Sequence, residues 1–326
     1  MGYRVAVIGA GIIAGSHLAA LRKLDALAAC AVADVRLGRA EAMAAEYGIS
    51  PYADYKEMIV REKPDIAVVT LPHHLHREAA TFAADRGCHV LLEKPMATSV
   101  RECDDIAAAV ERGGVKLMVG HTQHYIAENI AAKAVIESGR LGRLLLINDR
   151  RHQRYDVPGR PDWFFDKAKA GGGILTNLGA HSIDKIQWLT GEPIVRVTAG
   201  IHYAGMRGDI EGGGSAFLAT ATGIYATLSQ SGYPGAIVDE TEFRFEGGSM
   251  KLLTGRGLWV SDGGEYAEVP VGPKPDPFVG QFEDLVAAIE TGCEPACAMA
   301  YSRSIVAVVE SLYLSHEQGA EVAVVR

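Results

Sequence analysis

The strand-forming run Arg4-Val5-Ala6-Val7-Ile8 passes directly into Gly9-Ala10-Gly11-Ile12-Ile13-Ala14, and a helix-forming segment follows. A strand that enters GxGxxG/A and opens a helix has one well-understood use, the cradling of a dinucleotide. Gly9 permits the tight turn, Gly11 lets the backbone approach a pyrophosphate, and Ala14 is small enough for the helix to pack on the strand. The helix start then offers backbone N–H groups and a partial positive charge to the phosphates. Asp34, ending a second strand at 28–33, is placed to accept hydrogen bonds from the adenosine ribose. A carboxylate there repels a 2′-phosphate, which favours NAD. Arg36 and Arg39 lie close enough to neutralise one, which keeps NADP as the alternative.

Up to about residue 122 the chain alternates short apolar runs with Ala-rich amphipathic segments. Strands are expected at 4–8, 28–33, 66–70, 90–92 and 117–119, with helical stretches at 39–47, 77–86 and 101–112. This alternation predicts βαβ units and a parallel sheet covered on both faces, a doubly wound Rossmann domain. The strands are continuously apolar, as doubly buried strands are. Beyond about residue 140 strands follow one another, at 144–149, 195–203, 215–218, 223–229, 242–245 and 258–260, with tight turns such as Glu246-Gly247-Gly248-Ser249. That pattern predicts an α+β domain with a large open, mostly antiparallel sheet. One long helix is expected at 174–189, stopped by Gly191 and Pro193. Two more are expected at 278–290 and 299–316, the first stopped by Gly292. The expected division is 1–122 and 123–326, with the last helix able to pack back on the first domain.

A formal charge of −8 and the absence of Lys/Arg clusters argue against nucleic-acid binding. The longest apolar stretches are strand-sized, so no membrane span is expected, and with no signal-peptide pattern at the start the expected location is cytoplasmic. The five cysteines are odd in number and scattered, and Cys293 and Cys297 do not form a CxxC, so reduced thiols are expected.

Two further clusters carry chemistry. Glu93-Lys94-Pro95 ends the strand at 90–92, and ligands of doubly wound sheets sit outside such strand ends. On spacing alone, Lys94 either faces the cofactor or pairs with Glu93 at the surface. On the 174–189 helix, Asn177, His181 and Asp184 fall at i, i+4 and i+7 and share a face. His181 can exchange a proton near neutral pH, Asp184 can orient its ring, and Asn177 can hydrogen-bond a hydroxyl or carbonyl. His73, His74, His76, His121, His124 and His152 are also candidates for the cleft, but none has zinc-site spacing, so no metal is expected. Arg154, Tyr155 and Trp163 are candidates for recognising a polar substrate group, or else for packing beneath the loop.

The order GxGxxA, Asp34, Pro72-His73-His74-Leu75-His76, Glu93-Lys94-Pro95, and then Gly171-Gly172-Gly173-Ile174-Leu175-Thr176-Asn177-Leu178-Gly179-Ala180-His181-Ser182-Ile183-Asp184 resembles the glucose–fructose oxidoreductase / inositol dehydrogenase / rhizopine-catabolism (Gfo/Idh/MocA) family. The resemblance implies a dinucleotide held by Gly9, Gly11, Ile12, Ile13, Asp34, Arg39, Leu71, Pro72, His73, His76, Glu93 and Lys94. It implies Lys94 and His181 as the catalytic pair, with Asn177 and Asp184 beside them. His124, Arg154, Trp163, Asn177 and His181 become the candidate substrate contacts. Asn177 stands where the family usually has Asp, His73 where it has Asn, and His124-Tyr125 where many members have Arg-Phe. The implied activity is NAD(P)-dependent hydride transfer with a sugar, cyclitol or related polyhydroxy compound. A redox-neutral glycoside-cleaving enzyme and a non-catalytic dinucleotide sensor are the alternatives. The open sheet, with Ala226 and Leu228 on one face and Tyr225 and Thr227 on the other, predicts a homodimer or homotetramer.

Overall fold

The computed structural model describes residues 2–325. Its elements run β1 (Tyr3–Ile8), α1 (Ile12–Leu21), β2 (Leu27–Ala33), α2 (Leu37–Tyr47), β3 (Ser50–Tyr52), α3 (Tyr55–Glu62), β4 (Ile66–Val69), α4 (His76–Ala84), β5 (His89–Leu92), α5 (Val100–Gly113), β6 (Leu117–Val119), α6 (Ala127–Glu137), β7 (Leu144–His152) and α7 (Lys167–Ala170). A π-helical segment, Leu175–Gly179, then leads into α8 (Ala180–Thr190). There follow β8 (Ile194–His202), β9 (Gly213–Thr220), β10 (Tyr225–Ser231), β11 (Val238–Phe245), β12 (Gly248–Leu253), β13 (Gly257–Ser261), β14 (Ala267–Val269), α9 (Pro277–Thr291), α10 (Met299–Gln318) and β15 (Val322–Ala323).

The chain divides into two compact units. The first takes the residues up to Thr122 together with Asp276–Arg303, and the second takes Gln123–Pro275 and the chain from Ser304 onward. The second unit therefore does not run unbroken from 123: α9 belongs with the first.

In the first unit the six strands lie in the order β3-β2-β1-β4-β5-β6, all parallel. Every residue of β4 is buried, as are the last four of β1, so the continuous apolar runs are explained by cover on both faces. The order reverses between β1 and β4, which opens a crevice at their carboxyl ends. β3 carries Pro51 and sits at the sheet edge, where a missing N–H is tolerated.

The second unit holds a nine-stranded sheet, β14-β13-β12-β11-β7-β10-β9-β8-β15. All its pairings are antiparallel except β7 with β10. The expected turn at 246–249 is narrower: Glu246 and Gly247 make it, while Gly248 already pairs with Phe245 and begins β12. Helix α6 packs on β12 and β13 and α8 on β7, while the π-helical segment meets β10; Ile147, Ala226, Leu228 and Phe243 of the sheet are buried. The edge of β8 beyond β15 is closed by side chains: Ala199 N donates to Ser315 Oγ (3.0 Å) and Ile201 N to His316 Nδ1 (3.3 Å). Among the described residues no helix is long and apolar enough to cross a membrane.

Candidate functional site

In the first unit the crevice between β1 and β4 is shaped by glycine. Gly9 has φ +101°, and a Cβ there would lie 2.8 Å from Thr70 Oγ1 and 2.9 Å from its carbonyl oxygen. A Cβ at Gly11 would meet nothing within 4 Å, so its backbone faces open space. No side chain caps α1 and no acid lies in its first turn; Ile12 is 90% exposed beside it. An uncapped, acid-free helix start next to open backbone is what a pyrophosphate requires.

Asp34 ties this turn to the end of β2. Its Oδ2 accepts from Ala10 N (3.0 Å) and its Oδ1 from Arg36 N (2.8 Å). A carboxylate has about four lone-pair sites, so acceptors remain for ribose hydroxyls. Arg36 and Arg39 are exposed at the start of α2. These residues fit a dinucleotide.

Leu71 and Pro72 are half-buried and His73 is buried in a single 3₁₀ turn, His73–Leu75. His76 has a different task from that implied by the resemblance. It is fully buried, with Nδ1 2.9 Å from Pro95 O and Nε2 2.8 Å from Leu71 O, so it braces two loops from beneath. Burial pushes its pKa down, against the pull of the two carbonyls.

At the end of β5, Glu93 Oε1 lies 2.8 Å from His17 Nε2 and Oε2 accepts from Lys94 N (3.2 Å). Burial would raise the Glu93 carboxyl. The hydrogen bond and charge of His17, with Lys94 and His76 nearby, hold it below the usual range. Lys94 is half-buried and is followed by a cis peptide to Pro95. Sequence reasoning passed over His17, although its only signal was plain: an imidazole inside the otherwise small and apolar run Ile12-Ile13-Ala14-Gly15-Ser16-His17-Leu18-Ala19-Ala20-Leu21.

In the second unit the expected single helix is two pieces. The π-helical turn at Leu175–Gly179, with its i→i+5 bonding, widens the spiral before α8 begins. The i, i+4 spacing from Asn177 to His181 is thus not that of a uniform α-helix. The glycine entry that precedes it is held from outside the motif. Gly173 N and Leu175 N donate to Glu211 Oε2 and Oε1, each at 2.8 Å, and a Cβ at Gly172 would overlap the Tyr313 hydroxyl. Burial pushes the Glu211 carboxyl up despite those backbone donors. Glu211 and Tyr313 lie far along the chain from the motif they shape, so its spacing could not reveal them.

Asn177 is buried and its Nδ2 donates to Tyr155 Oη (3.2 Å). Tyr155 lies beneath the Arg160 guanidinium, which stands 4.2 Å from the ring centre. His181 is partly exposed. Asp184 is fully buried, and its Oδ1 lies 2.8 Å from Nε2 of His124. His124, expected as a substrate contact, is itself buried and stacks on Trp188 at 4.6 Å. Trp163 stacks on Phe164 at 3.8 Å, and exposed Arg154 donates from Nε to Asp156 O (2.9 Å). Among the described residues no three His, Cys, Asp or Glu side chains are grouped to hold a metal.

The model for the oxidoreductase family with an NAD-binding Rossmann fold (GFO_IDH_MocA) matches residues 3–121, and that for the GFO/IDH/MocA C-terminal domain matches 130–251. D-glucoside 3-dehydrogenase of Escherichia coli (strain K12) is 32% identical over 200 residues, 59% of this chain and 55% of that protein. The chain thus spans about half the length of such relatives. A protein of Amycolatopsis mediterranei (strain S699), named provisionally as a UDP-kanosamine synthase oxidoreductase subunit, is 30% identical over 97% of this chain and 96% of its own. The crystal structure of aldose-aldose oxidoreductase from Caulobacter crescentus complexed with glycerol superposes with a TM-score of 0.92 at 25% identity, covering 99% of this chain and all of that one (100%). With both its NAD-binding Rossmann domain and its C-terminal domain matched, the chain belongs to the Gfo/Idh/MocA oxidoreductase family.

Proposed function

We propose that this chain is an NAD-dependent dehydrogenase or reductase acting on a secondary alcohol or ketone of a sugar, cyclitol or related polyhydroxy compound. The observation that carries the reading is the open, uncapped turn at Gly11 tied to the Asp34 carboxylate. The relationship to a D-glucoside 3-dehydrogenase supports the substrate class. When bound, the nicotinamide supplies the hydride acceptor or donor. His181 takes the hydroxyl proton on a ring nitrogen during oxidation and returns it during reduction. Lys94 donates a hydrogen bond to the reacting oxygen and stabilises its developing negative charge. Asn177, oriented by Tyr155, holds a neighbouring hydroxyl.

We also propose a homodimer or homotetramer built on the open sheet face. Phe217 and Tyr225 stack there at 5.3 Å while 44% and 42% exposed, a large aromatic surface for a solvated sheet.

The test is a panel of sugars, cyclitols and sugar acids with NAD, followed at the nicotinamide absorbance. Steady accumulation of NADH with one of them is expected. Conversion of a glycoside without net NADH points instead to redox-neutral cleavage, and binding of NAD with no conversion of any compound to a sensor.

A further inference from the structure

We propose that His17 is a positioning residue for Lys94, acting through Glu93. The proposal rests on the reading above that Lys94 touches the reacting oxygen. His17 lies in the second turn of α1, fully buried, on the face shared by Ala14, Leu18 and Leu21. Packing alone would be served better by an apolar side chain, since a buried polar ring costs free energy unless it is hydrogen-bonded. The bond it makes is to Glu93 Oε1, 2.8 Å away. No partner for its Nδ1 is found among the described residues, so the hydrogen sits on Nε2 and points at the carboxylate.

Three segments hold this contact in place. Phe278 and Phe282 of α9 meet the imidazole edge-on, at 4.9 and 5.7 Å between ring centres. Gly120 leaves room on the far side: a Cβ there would lie 3.4 Å from Glu93 Oε1 and 3.5 Å from the buried Gln281 amide oxygen. The second Glu93 oxygen takes the Lys94 N–H, 3.2 Å away. With one N–H seated on each oxygen, the orientation of the carboxylate is fixed, and with it the backbone that launches Lys94. His17 stands on the same helix whose start meets the dinucleotide. One rigid element therefore registers cofactor and lysine together.

The experiment uses the full chain with NAD present and compares wild type, His17→Gln and His17→Leu. Lys94 is labelled by reductive methylation near pH 8 and followed by peptide mass, with exposed Lys63 as the internal standard. NAD affinity is measured by calorimetry, folding by thermal melting, and turnover on whichever polyol of the panel is oxidised. In His17→Leu the freed carboxylate pairs with the ammonium, so Lys94 labelling slows by about threefold or more. Turnover falls by roughly tenfold to a hundredfold, as displacement of a reacting group does, while NAD affinity stays within about threefold. His17→Gln, whose amide can still donate to Glu93, keeps labelling within about twofold of wild type.

A folded His17→Leu protein with wild-type labelling and turnover overturns the proposal, as do equal losses in the Leu and Gln variants. If His17→Leu does not fold, His17→Met, whose flexible thioether fills the same space without donating to Glu93, is read in its place against the same labelling criterion. Lys94→Ala separates the two levels of the argument. Wild-type turnover in that variant removes Lys94 from the chemistry, whereas impaired Lys94→Ala beside unaffected His17→Leu overturns the positioning role alone.

Discussion

Nε2 of His124 and Oδ1 of Asp184 lie 2.8 Å apart, with their side chains 3% and 0% exposed. The contact fastens α8, the helix that carries His181, to the segment at His124, and the Trp188 ring covers the imidazole. Replacing His124 with Leu takes this partner from a buried carboxylate. The expected loss is about 3–5 kcal/mol, the scale for breaking one side of a buried pair. Urea unfolding measures it directly. A loss below about 1 kcal/mol, the scale of exposed pairs, would show that the contact does not support the helix.

His181→Ala should leave NAD affinity near wild type by calorimetry. Single-turnover hydride transfer should fall by roughly 10²–10⁴, the contribution of a positioned acid or base. Wild-type single-turnover rates in this variant would make His181 a structural histidine.

Asp34→Ser should narrow the preference for NAD over NADP. The serine keeps an acceptor near the ribose but removes the charge that repels a 2′-phosphate, with Arg36 and Arg39 exposed nearby. Titration of both nucleotides into both proteins is the measurement. An unchanged ratio would move the origin of the preference away from Asp34.

A buried ion pair gives the second unit a pH-dependent contribution to stability. Lys185 Nζ lies 3.0 Å from Asp149 Oδ2, both side chains at 0% exposure, and Thr241 Oγ1 donates to the same oxygen (2.7 Å). Burial would raise the Asp149 carboxyl, but the Lys185 charge and the bonds from Ser182, Thr241 and Lys185 hold it below the ordinary value. A depressed acid stabilises the folded chain above its unfolded pKa, about 3.9 for Asp, and that contribution is lost as pH falls toward the folded value. Lys185→Met reverses the sign: the lone buried carboxylate then gains a proton on folding. Its melting temperature should rise as the solution is acidified from neutral pH, where wild type gains nothing. Melting curves across that range decide it. Asp149→Asn in the Lys185→Met background should recover most of the loss at neutral pH.

Phe217→Glu should yield a smaller species by light scattering if the open sheet face joins subunits. An unchanged mass, or a wild-type monomer at micromolar concentration, counts against that face.

The first unit was largely legible from the sequence, because doubly buried strands such as Ile66–Val69 and a glycine turn at a strand end leave local signatures. β3 escaped notice because three residues, one of them Pro51, carry no pattern. β12 was hidden because its first two residues, Gly248 and Ser249, have the composition of a turn, and only pairing with Phe245 and Arg244 makes them a strand. In the candidate site, the residue types at 94, 177, 181 and 184 were visible, but their partners were not. Tyr155, His17, Glu211 and His124 reach their contacts across 22, 76, 36 to 38 and 60 residues of chain. The glycine entry to that helix is held by Glu211 and closed by Tyr313, neither of which belongs to the motif.

The Rossmann unit draws α9 from between the two pieces of the second unit, and that helix supplies the rings around His17. During synthesis, then, α1 leaves the ribosome long before its cover does. Residues up to Thr122 can form their sheet while some 150 further residues are still being added, but one side of α1 stays wet until α9 emerges. The dinucleotide-binding unit is translated first and yet waits for α9 to be complete. A gene cut after codon 122 would encode every strand of that sheet and still lack the lid of its first helix. Grafting this nucleotide-binding module onto another protein would therefore require both pieces of chain, joined by a linker in place of the second unit.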